Sequence, residues 1–110
     1  MFLTINTTPE LREYINANRA VIVYFSHEHC SVCKALKPKL DEALTETYPH
    51  IEKVYIDIKL NLQFATEYQV NSVPVVILYL EGREFIRKTR TFSVKEIIDQ
   101  IERPYRLMIE

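Results

Sequence analysis

The chain has no tryptophan, one glycine and two cysteines, and each scarcity excludes a class of protein. A lone glycine, Gly82, rules out the glycine-rich loop that cradles phosphate groups at a helix start. Two cysteines are too few for the cross-linked framework of small secreted domains. The longest apolar run, Val73 to Leu80, has eight residues and contains Pro74, against the roughly 20 needed to cross a bilayer. A net charge of −1 supplies no overall field for nucleic acid or an anionic membrane, and neither is expected as a partner. The opening residues, Met1-Phe2-Leu3-Thr4-Ile5-Asn6, lack a basic stretch followed by an apolar one. The expected setting is therefore a reducing cytoplasm, not a secretory route.

What remains is an ordinary globular composition, 47% hydrophobic and 26% charged, which is enough apolar material for a core. A chain of 110 residues corresponds to one domain, expected to have its core over about 2–102 and a tail over 103–110. At this size roughly 65% of the unfolded surface is buried on folding, so no cross-link is needed for stability. The two cysteines are thus free for chemistry. They form Cys30-Ser31-Val32-Cys33, between the apolar run Ala20 to Phe25 and a helix-like segment starting near Ser31. In an intracellular setting, Cys-x-x-Cys after a buried strand and at a helix start is a redox signature. Residues i and i+3 on a helix have Cβ atoms about 5–6 Å apart, and a small adjustment brings them to the roughly 3.8 Å of a disulfide. A helix N-terminus also favours a thiolate on Cys30, whereas Cys33, a turn deeper, stays protonated until it attacks. The competing reading is a pair of inert core thiols.

Along the chain, Phe2 to Ile5 reads as a short strand, and Thr8-Pro9 opens a helix with Thr8 as its N-cap. Residues 20–25 suit a strand covered on both faces. A second helix is expected from Ser31 to Thr47, with Leu36, Leu40, Ala43 and Leu44 inward and a kink at Pro38. Ile51 to Ile58 reads as a strand. Asn61 caps a short helix through Tyr68, with Leu62, Ala65 and Tyr68 inward. Val75 to Leu80 and Arg83 to Arg90 form a hairpin about Glu81-Gly82. Ser93-x-x-Glu96 is a capping box for a last helix over Val94 to Glu102, which Pro104 stops. The order β-α-β-α-β-α-β-β-α implies an α/β class, a mostly parallel sheet covered on both faces and ending in an antiparallel hairpin.

The stretch Val21 to Lys34, with Pro38, Asp57, Ser72-Val73-Pro74 and the Glu81-Gly82 hairpin, resembles the thioredoxin family over about residues 9–102. The resemblance implies a three-layer α/β/α fold, a five-stranded mixed sheet flanked by four helices. It implies a thiol–disulfide oxidoreductase in which Cys30 attacks and Cys33 resolves, with reduction the favoured direction. No cofactor is implied beyond the Cys30–Cys33 disulfide. The partners implied are protein disulfides and an electron donor, either a reductase or a small thiol. The protein is expected to act as a monomer. The Val73-Pro74 bond would be cis, and the Val73 backbone would pair with an extended substrate segment.

This chain departs from the family pattern at several positions. Thioredoxins carry Trp-Cys-Gly-Pro-Cys where His29-Cys30-Ser31-Val32-Cys33 stands here. The family's buried acid falls at Tyr24, a poor base near neutral pH. Glu28, His27 or His29 is then the candidate relay, and slower reductase turnover is expected. Lys53 matches the lysine that accompanies the acid, with a solvent-seeking strand lysine as the alternative. Arg90 stands where the family has glycine and either selects acidic substrates or, with Arg83, Arg87 and Lys88, protects a sheet edge. Two other functions compete: a non-catalytic binding module built on the groove beside Pro74, and a metal module using His27, His29, Cys30 and Cys33.

Overall fold

The computed structural model describes residues 1–108. Its elements are β1 (Leu3–Thr4), α1 (Thr8–Ala17), β2 (Ala20–Ser26), α2 (Ser31–Thr47), β3 (Glu52–Asp57), α3 (Gln63–Glu67), β4 (Val75–Leu80), β5 (Arg83–Thr89) and α4 (Val94–Met108). The five strands form one mixed sheet in the order β1-β3-β2-β4-β5. β1 and β2 run parallel to β3, while β2–β4 and β4–β5 are antiparallel. The central β2 is buried along its whole length because helices cover both faces of the sheet. Val21, Val23 and Phe25 join Leu11, Ile15 and Phe64 in one core. Ala20, Ile22 and Tyr24 join Leu40, Leu44, Ile97 and Ile101 in the other. The five-stranded, four-helix, three-layer fold is as expected.

The antiparallel β2–β4 pairing was not implied by the alternation of strands and helices. It brings Val75 opposite Phe25. The start of β4 therefore lies beside the end of β2, at the same end of the sheet as the cysteine loop. The hairpin places Glu81 at φ 51° and Gly82 at φ 82°, the mirror-image turn whose twist matches paired strands. This is where the lone glycine is needed. A Cβ there would also lie 3.0 Å from Asn16 Oδ1.

Three local expectations are corrected. The N-cap of α1 is Thr7, whose Oγ1 accepts the Glu10 N–H (3.3 Å), while Thr8 is buried as the first residue of the helix. In α3 the inward residue is Phe64, while Leu62 precedes the helix and is 68% exposed. Most consequentially, α4 does not stop at Pro104 but continues through it to Met108. The missing proline N–H loses one helical hydrogen bond, and burial of Tyr105 offsets it. The Tyr105 ring packs 4.7 Å from that of Tyr48, and its hydroxyl accepts the His50 N–H (3.4 Å). Tyr48 in turn donates to the Ile98 carbonyl at 2.6 Å, closing α4 onto the end of α2. The expected tail is thus helix to residue 108, and residues 109–110 lie outside the described residues.

Candidate active site

β2 ends at Ser26, and residues 27–29 turn the chain into α2. The turn is closed by Cys30 N–H donating to the His27 carbonyl (3.2 Å). Cys30 itself is the N-cap, with extended backbone (φ −93°, ψ 102°) as that position requires. Its sulfur accepts the Cys33 N–H at 3.2 Å, and its carbonyl accepts the Lys34 N–H at 3.1 Å. An apolar strand thus delivers a cysteine sulfur to the unpaired N–H groups of a 17-residue helix, where negative charge is favoured. Cys30 and Cys33 are joined as a disulfide with Cα atoms 5.2 Å apart, inside the range such bonds accept. Cys30 is partly exposed, whereas Cys33 is 1% exposed. Between them Ser31 and Val32 face solvent, Val32 at 60%.

Behind Cys33 stands Tyr24, fully buried. Its hydroxyl donates to the Cys33 carbonyl at 2.8 Å. Burial, reinforced by the neighbouring Tyr55, pushes its hydroxyl well above the ordinary tyrosine range. Tyr24 is therefore a fixed donor and does not relay protons at neutral pH. Because its folded-state value is raised, the stability it confers is complete below its unfolded value near 10 and is lost as pH rises beyond it. Urea midpoints are expected to fall between about pH 8 and about pH 11, and to fall less in Tyr24→Phe. An identical fall in both proteins would refute that assignment.

Lys53 does not stand beside Tyr24. The strand register sets it opposite Ile22, and the residue across from Tyr24 is Tyr55. Lys53 instead pairs with Asp41 of α2 at 2.6 Å and with the Thr45 hydroxyl, and is 10% exposed, so the solvent-seeking alternative is also corrected. Burial pulls the Lys53 amine down, but the hydrogen bond and charge of Asp41 prevail and hold it above its ordinary value. Tyr55 was missed from the sequence. Its hydroxyl meets Ser26 Oγ at 2.8 Å, its ring lies 6.1 Å from that of Tyr24, and Lys37 Nζ sits 3.8 Å from its ring centre. Counting strand positions from Asp57 back, opposite Ser26, is the signal that would have found it.

Of the loop residues, Glu28 and His29 are exposed and His27 is half-buried. The His29 N–H donates to His27 Nδ1 at 3.2 Å, which commits that nitrogen as an acceptor. Among the described residues no three His, Cys, Asp or Glu side chains converge on a point that could hold a metal ion. His27, His29, Cys30 and Cys33 are therefore not gathered as a metal-binding set. The remaining wall comes from β4 and β5. The Val73–Pro74 bond is cis, and Val73 is half-buried. Arg90 N–H donates to the Pro74 carbonyl (2.9 Å), and Thr91 N–H to the Thr89 carbonyl (2.8 Å). The latter bond makes a γ-turn about Arg90 at φ 63°, the strained form of that turn. For a non-glycine residue this conformation costs on the order of 1 kcal/mol or more. The family's glycine has this backbone as its physical reason.

A partly exposed cysteine on a helix cap, a buried partner one turn on, and Pro74 at the same sheet end are the arrangement of a thiol–disulfide site. The thioredoxin family model matches residues 3–103. The chain belongs to the thioredoxin family. It is 29% identical over 97 residues to the thioredoxin-like protein YdfQ of Bacillus subtilis, covering 88% of this chain and 86% of that one. To the thioredoxin of Chlamydia trachomatis it is 38% identical over 71 residues, 64% of this chain and 69% of that one. The solved thioredoxin of Fasciola hepatica superposes with a TM-score of 0.80 at 28% identity, over 94% of this chain and 98% of that one. The protein is a thiol–disulfide oxidoreductase whose redox-active disulfide is Cys30–Cys33. Thioredoxins need no cofactor beyond such a pair, and as a family they work with protein disulfides and a reductase. At the position where the resemblance places the family's acid, this chain has Tyr24, and its cross-strand neighbour is Tyr55.

Proposed function

We propose that the protein is a protein-disulfide reductase of the cytoplasm, single-domain and monomeric, in which Cys30 attacks and Cys33 resolves. The observation that carries the two cysteine roles is the unequal burial of Cys30 and Cys33 at the start of α2. The Cys30 thiolate attacks a substrate disulfide, forming a Cys30–substrate disulfide and releasing one substrate thiolate, which water protonates. The Cys33 thiolate then attacks Cys30 Sγ. The internal disulfide forms, the second substrate thiolate leaves, and two electrons have passed to the substrate. A reductase or a small thiol restores the dithiol. An extended substrate segment lies along the Val73 backbone beside Pro74, with His29 at its edge and Arg90 at the other.

The proton of Cys33 has no acid-derived base to receive it, since Tyr24 is already a donor. It passes to water, or through the exposed Glu28 or the half-buried His27 of the loop. Turnover is therefore slower than in a thioredoxin with a carboxylate at that position. Insulin disulfide reduction by dithiothreitol tests both statements. Wild type should catalyse it, Cys30→Ser should not, and the wild-type rate should lie below that of an acid-bearing thioredoxin under identical conditions. Turnover surviving in Cys30→Ser would overturn the nucleophile assignment. A matching rate would overturn the argument from the missing base.

A further inference from the structure

β5 carries Arg87, Lys88 and, at its end, Arg90 toward the active-site end of the sheet. The first two are satisfied inside the fold. Arg87 holds both oxygens of Glu84 at 2.9 Å and donates to the carbonyls of Tyr68 (2.9 Å) and Gln69 (3.1 Å), fastening α3 to the strand. Lys88 pairs with Glu96 of α4 at 2.8 Å. Arg90 differs. Among the described residues its side chain has no carboxylate within ion-pair distance, and its one hydrogen-bond partner is Ser72 Oγ, 3.3 Å from Nε. The two terminal nitrogens of its guanidinium make no hydrogen bond within the described residues.

The backbone makes that freedom informative. Arg90 occupies the positive-φ turn that glycine enters without strain, so the fold gains nothing from an arginine there. The turn is anchored to the Pro74 carbonyl, one peptide from the Val73 backbone along which substrate lies. Beside it opens a cavity of about 310 Å³, lined by Val75 and, as its polar lining, by Gln69, Asn71, Ser72, Arg87, Thr89 and Arg90. Its polar lining offers amides, hydroxyls and guanidinium groups, and no carboxylate. Such a lining accepts an anion and repels a cation.

Resting on the reductase reading above, we infer that Arg90 is a specificity-determining residue that selects disulfides flanked by an aspartate or glutamate. The carboxylate enters the cavity beside Pro74 and receives hydrogen bonds from the free guanidinium nitrogens. Its placement fixes the register of the substrate segment along Val73 and so the approach of its disulfide to Cys30.

Disulfide-bridged peptides identical except for Glu, Gln or Lys beside one cysteine supply the test. Wild type is expected to prefer the Glu peptide over the Gln peptide by about fivefold in kcat/KM, as a rim charge pair supports. The preference should shrink in about 0.5 M salt. It should vanish in Arg90→Gln and in Arg90→Gly, the latter matched to the turn and so secure in folding. Arg90→Glu should favour the Lys peptide. Equal use of the three peptides by wild type, or a preference that survives both neutral variants, overturns the inference. The neutral 2-hydroxyethyl disulfide separates the two levels. Its reduction without charge preference among the peptides defeats the inference alone, whereas absence of its reduction defeats the oxidoreductase reading beneath it as well.

Discussion

Replacing Cys33 with serine is expected to leave the protein covalently attached to its substrates. Cys30 remains at the mouth of the site, on the N-terminus of α2, and still attacks. The intermediate then has no internal nucleophile, because a serine hydroxyl does not displace a thiolate. In wild type Cys33 is tethered three residues away, with its Cα 5.2 Å from that of Cys30. Well-oriented intramolecular groups act at effective molarities of about 10⁵ M, far above a millimolar external thiol. Release should slow by at least about a thousandfold. Mass spectrometry of Cys33→Ser after mixing with a disulfide protein should show a stoichiometric adduct that dithiothreitol removes. Cys30→Ser should form none, since Cys33 is sealed beneath the first turn. Adducts of equal yield on both variants would mean that the two sulfurs are equally accessible and that the assigned roles are wrong.

Tyr105→Ala is expected to cost about 3–5 kcal/mol, the range for deleting a buried large aromatic side chain. For a domain of this size that lowers the melting temperature by at least about 12 °C. The side chain is 5% exposed and seals the seam where the end of α2, residues 48–50 and the last turn of α4 meet. Its loss opens a cavity against Tyr48 and removes the main contact of the turn after Pro104 with residues 48–50. Tyr105→Phe isolates the hydroxyl, which serves only the His50 N–H at 3.4 Å, and should cost no more than about 1.5 kcal/mol. Thermal unfolding of the two variants checks the assignment. A loss below about 1 kcal/mol for Tyr105→Ala would show that residues 105–108 are dispensable, as a helix ending at Pro104 would make them.

The redox site was legible because its signal is local. Strand, loop, Cys30 and helix cap lie in one continuous stretch, and a Cys-x-x-Cys spacing has few geometric outcomes. The boundaries of α2 and β4 matched for the same reason, since period and burial agree along each segment. The errors lie where distant contacts override local preference. Pro104 breaks an isolated helix, yet Tyr105 finds Tyr48 and His50 and carries α4 past it. Leu62 looked inward by spacing, but the helix begins one residue after it and Phe64 takes the core position. Lys53 looked like a neighbour of Tyr24, and strand register put Tyr55 there instead. A slip of two strand positions is invisible in sequence because side-chain direction repeats every two residues.

By itself the amino-acid sequence determined the layered α/β class and the two-cysteine site, because these follow from periodicity, capping and spacing over neighbouring residues. Tertiary structure alone decided what surrounds that site. It paired Tyr24 with Tyr55, spent the Tyr24 hydroxyl on the Cys33 carbonyl, sent Lys53 to Asp41, and left Arg90 without a carboxylate partner beside Pro74. Each of these depends on strand order and register across the sheet. The energy that sets them is the burial of two cores on opposite faces, shared among residues many positions apart.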